Sequence, residues 1–245
     1  MTKIPKPEED AMNVAAPPGF DARGVPIYAV CSDQAKVSPF ALQAKALRGR
    51  FQAPPIWQPE ITDENRHVIA SDIIAKRQAA GKVTQAAVLV PLLSREEGLS
   101  VLLTQRTNHL RDHAGQISFP GGRMDPGDSG PNDTALRESE EEIGLDRNRV
   151  EIIGHMPQYL TVSGYSVTPV VGLVQAQAEY VLDEFEVADV FEVPLEFLMD
   201  PANHQVRMWQ SEQGSRRFYA MPYENRFIWG ATAGMLRNLY HLLKV

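Results

Sequence analysis

The sequence has little of what marks a secreted or membrane protein. Cys31 is the single cysteine, so the chain cannot form an internal disulfide, which fits a reducing cytoplasm. The N-terminal lysines are not followed by an apolar run, so we expect no signal peptide. No window of about 18 consecutive apolar residues occurs, so we also expect no membrane-spanning helix. These absences predict a soluble, cytoplasmic protein.

Net positive charge is also missing. The 24 Lys and Arg residues are outnumbered by 31 Asp and Glu, giving a net charge of −7 and no general attraction to nucleic acid or to an anionic membrane. The 245 residues, 43% of them hydrophobic, suffice for one sizeable core but not for two comfortable ones. We therefore expect one main domain, no nucleic-acid partner and no membrane partner. The sequence leaves a homodimer open.

The domain boundary is predicted from where periodic apolar patterns begin. Residues 1–37 are rich in Pro, Ala, Gly and charge and show no sustained period. This composition predicts an extended, flexible N-terminal arm, ordered only where it lies on the domain or on a neighbour. The domain is predicted to span 38–245. Its first part offers two short helices, one within 39–50 and one from Asp63 to Ile74.

Apolar runs bounded by turn residues predict a series of strands after Gln85. The predicted strands cover 86–93, 99–105, 150–156, 166–174, 187–193, 218–223 and 227–228. The connection between the first two predicts a hairpin. One helix lies among the strands, and another, 229–243, follows them with apolar residues at helical spacing. Strands on both sides of a central helix predict an α/β sandwich with a mixed sheet.

The central helix carries three glutamates on one face. Pro131 suits its first turn and Gly144 its end, and Glu138, Glu141 and Glu142 then stand at i, i+3 and i+4. Three like charges at this spacing repel one another unless a cation lies between them. Oxygen ligands without Cys or His suit Mg²⁺ or Mn²⁺ better than zinc or copper. The alternative is an ordinary solvated acidic face.

Two further features of this stretch favour a metal site. Arg137 precedes Glu141 by one helical turn and can pair with it, which would hold a carboxylate in place. Gly121 and Gly122, just upstream, bring bare backbone close to the same region, as a turn supporting a phosphate ligand would.

A basic segment lies immediately before the glycines. Guanidinium groups bind phosphate through paired hydrogen bonds, so these side chains are candidates for anion capture. A structural role, with an arginine paired to a nearby acid, stays open, and two histidines at i, i+4 without a further soft ligand are a poor zinc site. The candidates are Arg106, His109, Arg111 and His113.

The glutamate stretch resembles the Nudix box, G-x5-E-x7-R-E-U-x-E-E-x-G-U, where U is aliphatic. Two positions depart: Asp128 replaces the first Glu and is followed by eight rather than seven residues before Arg137, and Ser139 stands at the first aliphatic position. The resemblance leaves the role of Asp128 open. The matching residues are Gly122, Arg137, Glu138, Glu141, Glu142, Gly144 and Leu145.

The segment before the box is similar to the signature L-L-T-x-R-(S/A)-x3-R-x3-G-x3-F-P-G-G of the coenzyme A diphosphatase branch of Nudix hydrolases. Thr107 is its one departure, standing where Ser or Ala is expected. The matching residues are Leu102, Leu103, Thr104, Arg106, Arg111, Gly115, Phe119, Pro120, Gly121 and Gly122.

The two resemblances imply a fold, a reaction and a site. The fold is an α/β/α sandwich with a metal-binding loop-helix-loop. The reaction is hydrolysis of the diphosphate of coenzyme A or its thioesters with Mg²⁺ or Mn²⁺. The implied metal ligands are Glu138, Glu141, Glu142 and the backbone carbonyl of Gly121, with Arg137 orienting the cluster and Gly122 among the substrate-binding residues.

The general base has two candidates. Nudix enzymes use either a box glutamate or an acid from another loop, and Glu186 is the candidate of the second kind. An ordinary solvated loop acid is the alternative for Glu186.

Two other functions remain open. One is a Nudix hydrolase acting on another nucleoside diphosphate derivative, such as a nucleotide sugar or a dinucleotide. The other is a non-catalytic Nudix-like binding module. The sequence contains neither a G-x-S-x-G elbow nor a P-loop pattern, so it favours no other hydrolase chemistry.

Overall fold

The computed structural model describes residues 20–60, 83–110, 113–161, 163–177, 179–211 and 214–245. Arg111 and the predicted helix from Asp63 to Ile74 lie outside these residues. Among the helices in the described ranges, none combines the length and apolar character needed to cross a membrane.

Four α-helices, four short 3-10 helices and twelve strands make up the secondary structure of the described residues. The α-helices are α1 Ala44–Gln52, α2 Pro131–Ile143, α3 Leu195–Met199 and α4 Gly230–Leu243. The strands are β1 Ile27–Val30, β2 Thr84–Arg95, β3 Gly98–Arg106, β4 Ile117–Ser118, β5 Gly121–Arg123, β6 Val150–His155, β7 Tyr159–Leu160, β8 Tyr165–Val174, β9 Val187–Pro194, β10 Gln205–Ser211, β11 Gly214–Tyr223 and β12 Arg226–Trp229.

The larger sheet is mixed, as predicted. Its strand order is β4-β3-β2-β8-β6, with β5 paired to β2, β7 to β8 and β9 to β3. Strands β2 and β3 form the predicted antiparallel hairpin, whereas β2 and β8 run parallel. A parallel pair buried on both faces accounts for the nearly continuous apolar runs of these two strands.

Helices cover both faces of this sheet and complete the predicted α/β/α sandwich. Along β2, neighbouring side chains alternate between the two layers. Leu89 packs in the cluster that contains Ala135 and Ile143 of α2. Val90 packs in the cluster that contains Leu236 and Leu239 of α4. The helix bearing the three glutamates is therefore held on the sheet by its apolar side.

A second, four-stranded antiparallel sheet has the order β1-β10-β11-β12. Its strand β1 belongs to the predicted N-terminal arm, and Cys31 and Val37 just after it are buried in the main core. The described part of that arm, 20–37, thus lies on the domain. The four apolar residues of β1 are too short a run to be recognised from the sequence, because their partner β10 is remote in the chain.

Candidate active site

Helix α2 begins and ends where the sequence predicts. Pro131 occupies its first turn, and Gly144 ends it in a left-handed conformation with φ 64°. The Gly144 N–H donates to the Glu140 carbonyl and the Leu145 N–H to the Ser139 carbonyl. These bonds satisfy carbonyls at the helix end. The helix is therefore a defined platform for the glutamates.

Glu142 is the most buried of the three. It is only 6% exposed, and its Oε2 accepts a hydrogen bond of 3.1 Å from the Gly121 N–H. Burial raises the pKa of Glu142 to about 8, and the nearby carboxylates of Glu138 and Glu186 push it in the same direction. Even with the Arg106 guanidinium nearby, the ionised carboxylate is thus unfavourable at this position unless further positive charge arrives.

Glu138 lies against the backbone of the glycine pair. A Cβ atom at Gly122 would come within 2.5 Å of the Glu138 carboxylate, so a larger residue there would displace this side chain from the backbone. Gly121 has φ 147°, and a Cβ there would collide with the Ala87 carbonyl oxygen. Burial also raises the pKa of Glu138. The glycines therefore bring main chain and carboxylates together, as the sequence predicts.

Arg137 is fixed between several acids. Its Nε and one terminal nitrogen donate to the two oxygens of Asp128 at 2.9 and 3.0 Å, and its other terminal nitrogen donates to Glu141 at 2.9 Å. It also lies 3.0 Å from Glu138. The hydrogen bonds from Arg137 hold the pKa of Asp128 well below its ordinary value. The predicted pairing of Arg137 with Glu141 is present.

Arg106 of the basic segment lies close to Glu142 of the glutamate helix. It ends β3, and its Nη1 atom is 3.9 Å from Glu142 Oε1 and 4.0 Å from Glu186 Oε2. Its Nε is buried, with no hydrogen-bond partner among the described residues. Residue 106 pairs with Val187 where β9 begins, which places Glu186 beside it. Arg106, Glu142 and Glu186 thus share one site.

The two predicted histidines lie differently from each other. His109 packs on the Phe185 ring, with ring centroids 4.8 Å apart. His113 is exposed, has φ 58°, and its Nδ1 is 3.1 Å from Gln116 Oε1. Arg111, between them, lies outside the described residues.

The site supplies oxygen donors for a hard cation, but its side chains do not form a finished ligand shell. Within the described ranges, no three His, Cys, Asp or Glu side chains converge closely enough to hold a metal ion. Arg137 engages Glu138 and Glu141, and the Gly121 N–H engages Glu142. The buried Glu142 and the half-buried Glu138, whose pKa values are both raised, nevertheless fit a divalent cation, because its charge offsets their repulsion.

Comparison with known proteins shows the family. A profile of the NUDIX domain matches residues 83–213, just over half of the chain. The chain belongs to the Nudix family. It is 43% identical over 155 residues to the uncharacterized Nudix hydrolase NudL of Yersinia pestis (strain Pestoides F), covering 63% of this chain and 77% of that protein. The values are the same for NudL of Yersinia pseudotuberculosis serotype O:1b.

A solved structure resembles the chain over a smaller part. The binary complex of a C. elegans Ap4A hydrolase covers 49% of this chain and 86% of that one, at 23% identity and a TM-score of 0.41. The family match and the Yersinia relatives make this chain a Nudix hydrolase, an enzyme class whose substrates contain a diphosphate.

The structure shows what Asp128 and Ser139, the two residues that depart from the Nudix box, contact. Asp128 holds Arg137 in place through the two hydrogen bonds described above. Its side chain, shorter than the Glu of the Nudix box, also accepts hydrogen bonds from the Asp125 N–H at 2.9 Å and the Thr134 hydroxyl at 2.8 Å. Ser139 is fully buried, and its hydroxyl donates to the Ala135 carbonyl at 2.6 Å. A small polar residue therefore replaces the aliphatic one without leaving an unsatisfied group.

Two contacts beside the Nudix site escaped the sequence analysis. The Thr107 hydroxyl donates to the Phe185 carbonyl at 2.8 Å, and the Thr107 N–H donates to the Glu186 carbonyl at 3.0 Å. Thr107 thus ties the loop of Glu186 to the end of β3. In the sequence, Thr107 stands out only because it departs from the signature. That departure does not reveal its partners Phe185 and Glu186, which are remote in the chain.

Proposed function

We propose that the protein hydrolyses the diphosphate of coenzyme A and of its thioesters. The products are adenosine 3′,5′-bisphosphate and 4′-phosphopantetheine or its acyl form. The observation that carries the proposal is the position of Arg106, a residue of the coenzyme A diphosphatase signature. It lies within 4.0 Å of the box residue Glu142 and of Glu186. The upstream signature and the box therefore contribute to one site.

The residues that would hold Mg²⁺ or Mn²⁺ are Glu138 and Glu142, completed by Glu141 and the Gly121 carbonyl as the Nudix box implies. A bound divalent ion offsets phosphate charge and lowers the pKa of a water molecule. Arg137 keeps Glu138 and Glu141 oriented through the contacts described above.

Arg106 and Glu186 supply the remaining roles. The Arg106 guanidinium, whose Nε is buried and free of protein partners in the described chain, binds a phosphate oxygen of the substrate. Glu186 has a side chain that is 44% exposed and can accept the proton of the attacking water. Its loop is tied to Thr107, so the carboxylate is presented beside the arginine.

A second candidate function is hydrolysis of another nucleoside diphosphate derivative, with the same residues in the same roles. The upstream signature favours coenzyme A over this alternative. A non-catalytic module is disfavoured by the retention of all three box glutamates. A reducing, cytoplasmic setting belongs to the proposal as well, supported by the single, buried Cys31.

Steady-state kinetics on coenzyme A test the proposal. Glu142→Gln should lower kcat by about 10²-fold or more, with a smaller change in KM, because the interaction is made in the transition state. Glu140→Gln is the matched control: Glu140 lies on the same helix but pairs with Arg147 at 2.7 Å. Its kcat should stay within about twofold of wild type. Full activity of Glu142→Gln would contradict the assignment.

A further inference from the structure

The loop before β9 presents an aromatic ring to solvent. Phe185 is 65% exposed and stands one residue before Glu186. Exposed single aromatics are common, so exposure by itself indicates nothing. The position indicates more, because the Glu186 carboxylate lies 4.0 Å from Arg106.

The main chain of Phe185 is held from both sides. Its carbonyl accepts the Thr107 hydroxyl at 2.8 Å, and its N–H donates to Asp183 Oδ1 at 2.9 Å. The next residue is fixed too, since the Glu186 N–H donates to the Asp183 carbonyl at 3.0 Å. The ring is therefore exposed on a fixed support, which lowers the entropy cost of binding to it.

His109 packs on this ring from the other segment of the site. The two ring centroids are 4.8 Å apart and the planes are tilted by 59°. His109 thus braces one side of Phe185 while most of the phenyl surface stays open. Two flat side chains, one from each segment that contributes to the site, therefore meet one residue from the proposed general base.

We propose that Phe185, braced by His109, is the stacking subsite for the purine base of the substrate. In a nucleoside diphosphate one ribose separates the base from the diphosphate. Phe185 precedes Glu186 in the chain, and the Glu186 carboxylate lies 4.0 Å from Arg106, so a stacking surface here suits that spacing. Every base has a flat π-face, and stacking on an aromatic side chain needs no hydrogen-bond partner. The inference rests on the proposed function only in that the substrate contains a nucleoside.

Equilibrium binding to the full chain tests the subsite independently of turnover. Adenosine 5′-monophosphate and ribose 5-phosphate carry the same phosphate and sugar, but only the first has a base. Wild type should bind adenosine 5′-monophosphate at least about 10-fold more tightly. In Phe185→Leu, which keeps apolar bulk but removes the ring, this preference should fall to within about twofold. Phe185→Tyr, which keeps a ring, should retain it.

Phe40→Leu is the matched control. Phe40 is 72% exposed and lies in the Pro39–Leu42 turn, outside the site. The Phe40→Leu variant should bind both compounds with the same affinities as wild type. A wild-type protein that does not distinguish the two compounds, or a Phe185→Leu variant that keeps the wild-type preference, would overturn the subsite.

Kinetics on coenzyme A separate this inference from the proposed function. If coenzyme A is hydrolysed, Phe185→Leu should raise KM by about 10-fold with kcat nearly unchanged. Unchanged KM would overturn the subsite and leave the function standing. If wild type binds adenosine 5′-monophosphate preferentially but does not cleave coenzyme A, the function is overturned and the subsite stands.

Discussion

Replacing Glu142 by Gln should stabilise the protein when metal is withheld. The pKa of Glu142 rises from its ordinary 4.5 to about 8 in the fold, chiefly because the side chain is buried. Between these values the folded state binds a proton that the unfolded chain releases. The free energy of unfolding must therefore fall as the pH rises through this window. Gln has nearly the same size, keeps an oxygen for the Gly121 N–H, and does not titrate.

The size of the effect follows from the two pKa values. Each pH unit between them is worth about 1.36 kcal/mol, so the difference gives an upper limit of about 5 kcal/mol above pH 8 and about 3 kcal/mol at pH 7. Local relaxation and water entry reduce both. Since 1 kcal/mol changes the Tm of a chain of this size by about 2–4 °C, Glu142→Gln should melt several degrees above wild type in EDTA at pH 8.

The assay is thermal unfolding of both proteins in EDTA at a series of pH values. Other groups titrate in the same range, so the difference between the two proteins isolates Glu142. Added Mg²⁺ should raise the Tm of wild type above that of Glu142→Gln. A ligand that binds only the folded state stabilises it, and the variant lacks one of the proposed carboxylate ligands. Glu140→Gln, with its carboxylate in an exposed pair, should change stability by less than about 1 kcal/mol. Parallel pH profiles for wild type and Glu142→Gln in EDTA would refute the reasoning.

Three further predictions concern activity. EDTA should abolish hydrolysis and Mg²⁺ or Mn²⁺ should restore it; full activity in chelator would rule out the carboxylate site. Asp128→Asn removes the negative charge that holds Arg137 in place. Because Arg137 orients the metal ligands, this change should lower kcat by about 10- to 100-fold. An unchanged kcat would show that Arg137 does not depend on Asp128. Arg111→Ala should raise KM for coenzyme A by roughly 10-fold and reduce the preference of the enzyme for coenzyme A over dephospho-coenzyme A. An equal rise in KM for both substrates would place Arg111 away from the 3′-phosphate.

The part of the fold that the sequence predicts is the part governed by local pattern. Strands β2, β3 and β8 follow from their apolar runs, and α2 follows from Pro131, Gly144 and the spacing of its glutamates. The end of α2 is a local property, because a left-handed residue there needs only glycine.

The missed elements depend on partners far away in the chain. Strand β10 mixes polar and apolar residues, and it is stabilised by pairing with β1 on one side and β11 on the other. Strand propensity is weak evidence where such pairing decides. The deletion of residues 1–35, which the predicted arm would tolerate, should therefore destabilise the protein, since it removes β1 and Cys31.

The site shows the same division. Spacing on one helix predicts that Glu138, Glu141 and Glu142 share a face. The structure places Glu138 and Glu141 on Arg137, but within the described ranges the three carboxylates do not converge closely enough to hold a metal ion. The proximity of Arg106 to Glu186 could not be predicted from the sequence, because it depends on the antiparallel register of β3 and β9. The role of Asp128 likewise required the fold, since its loop must turn back toward Arg137.

The central claim is that this site cleaves the diphosphate of coenzyme A. The most direct test is a panel of coenzyme A, an acyl-coenzyme A, a nucleotide sugar and a dinucleotide, incubated with Mg²⁺ and analysed by mass spectrometry. We predict that coenzyme A and its thioester yield adenosine 3′,5′-bisphosphate with a higher kcat/KM than the others show for their own products. No adenosine 3′,5′-bisphosphate, or faster cleavage of the nucleotide sugar or dinucleotide, would contradict the proposed function.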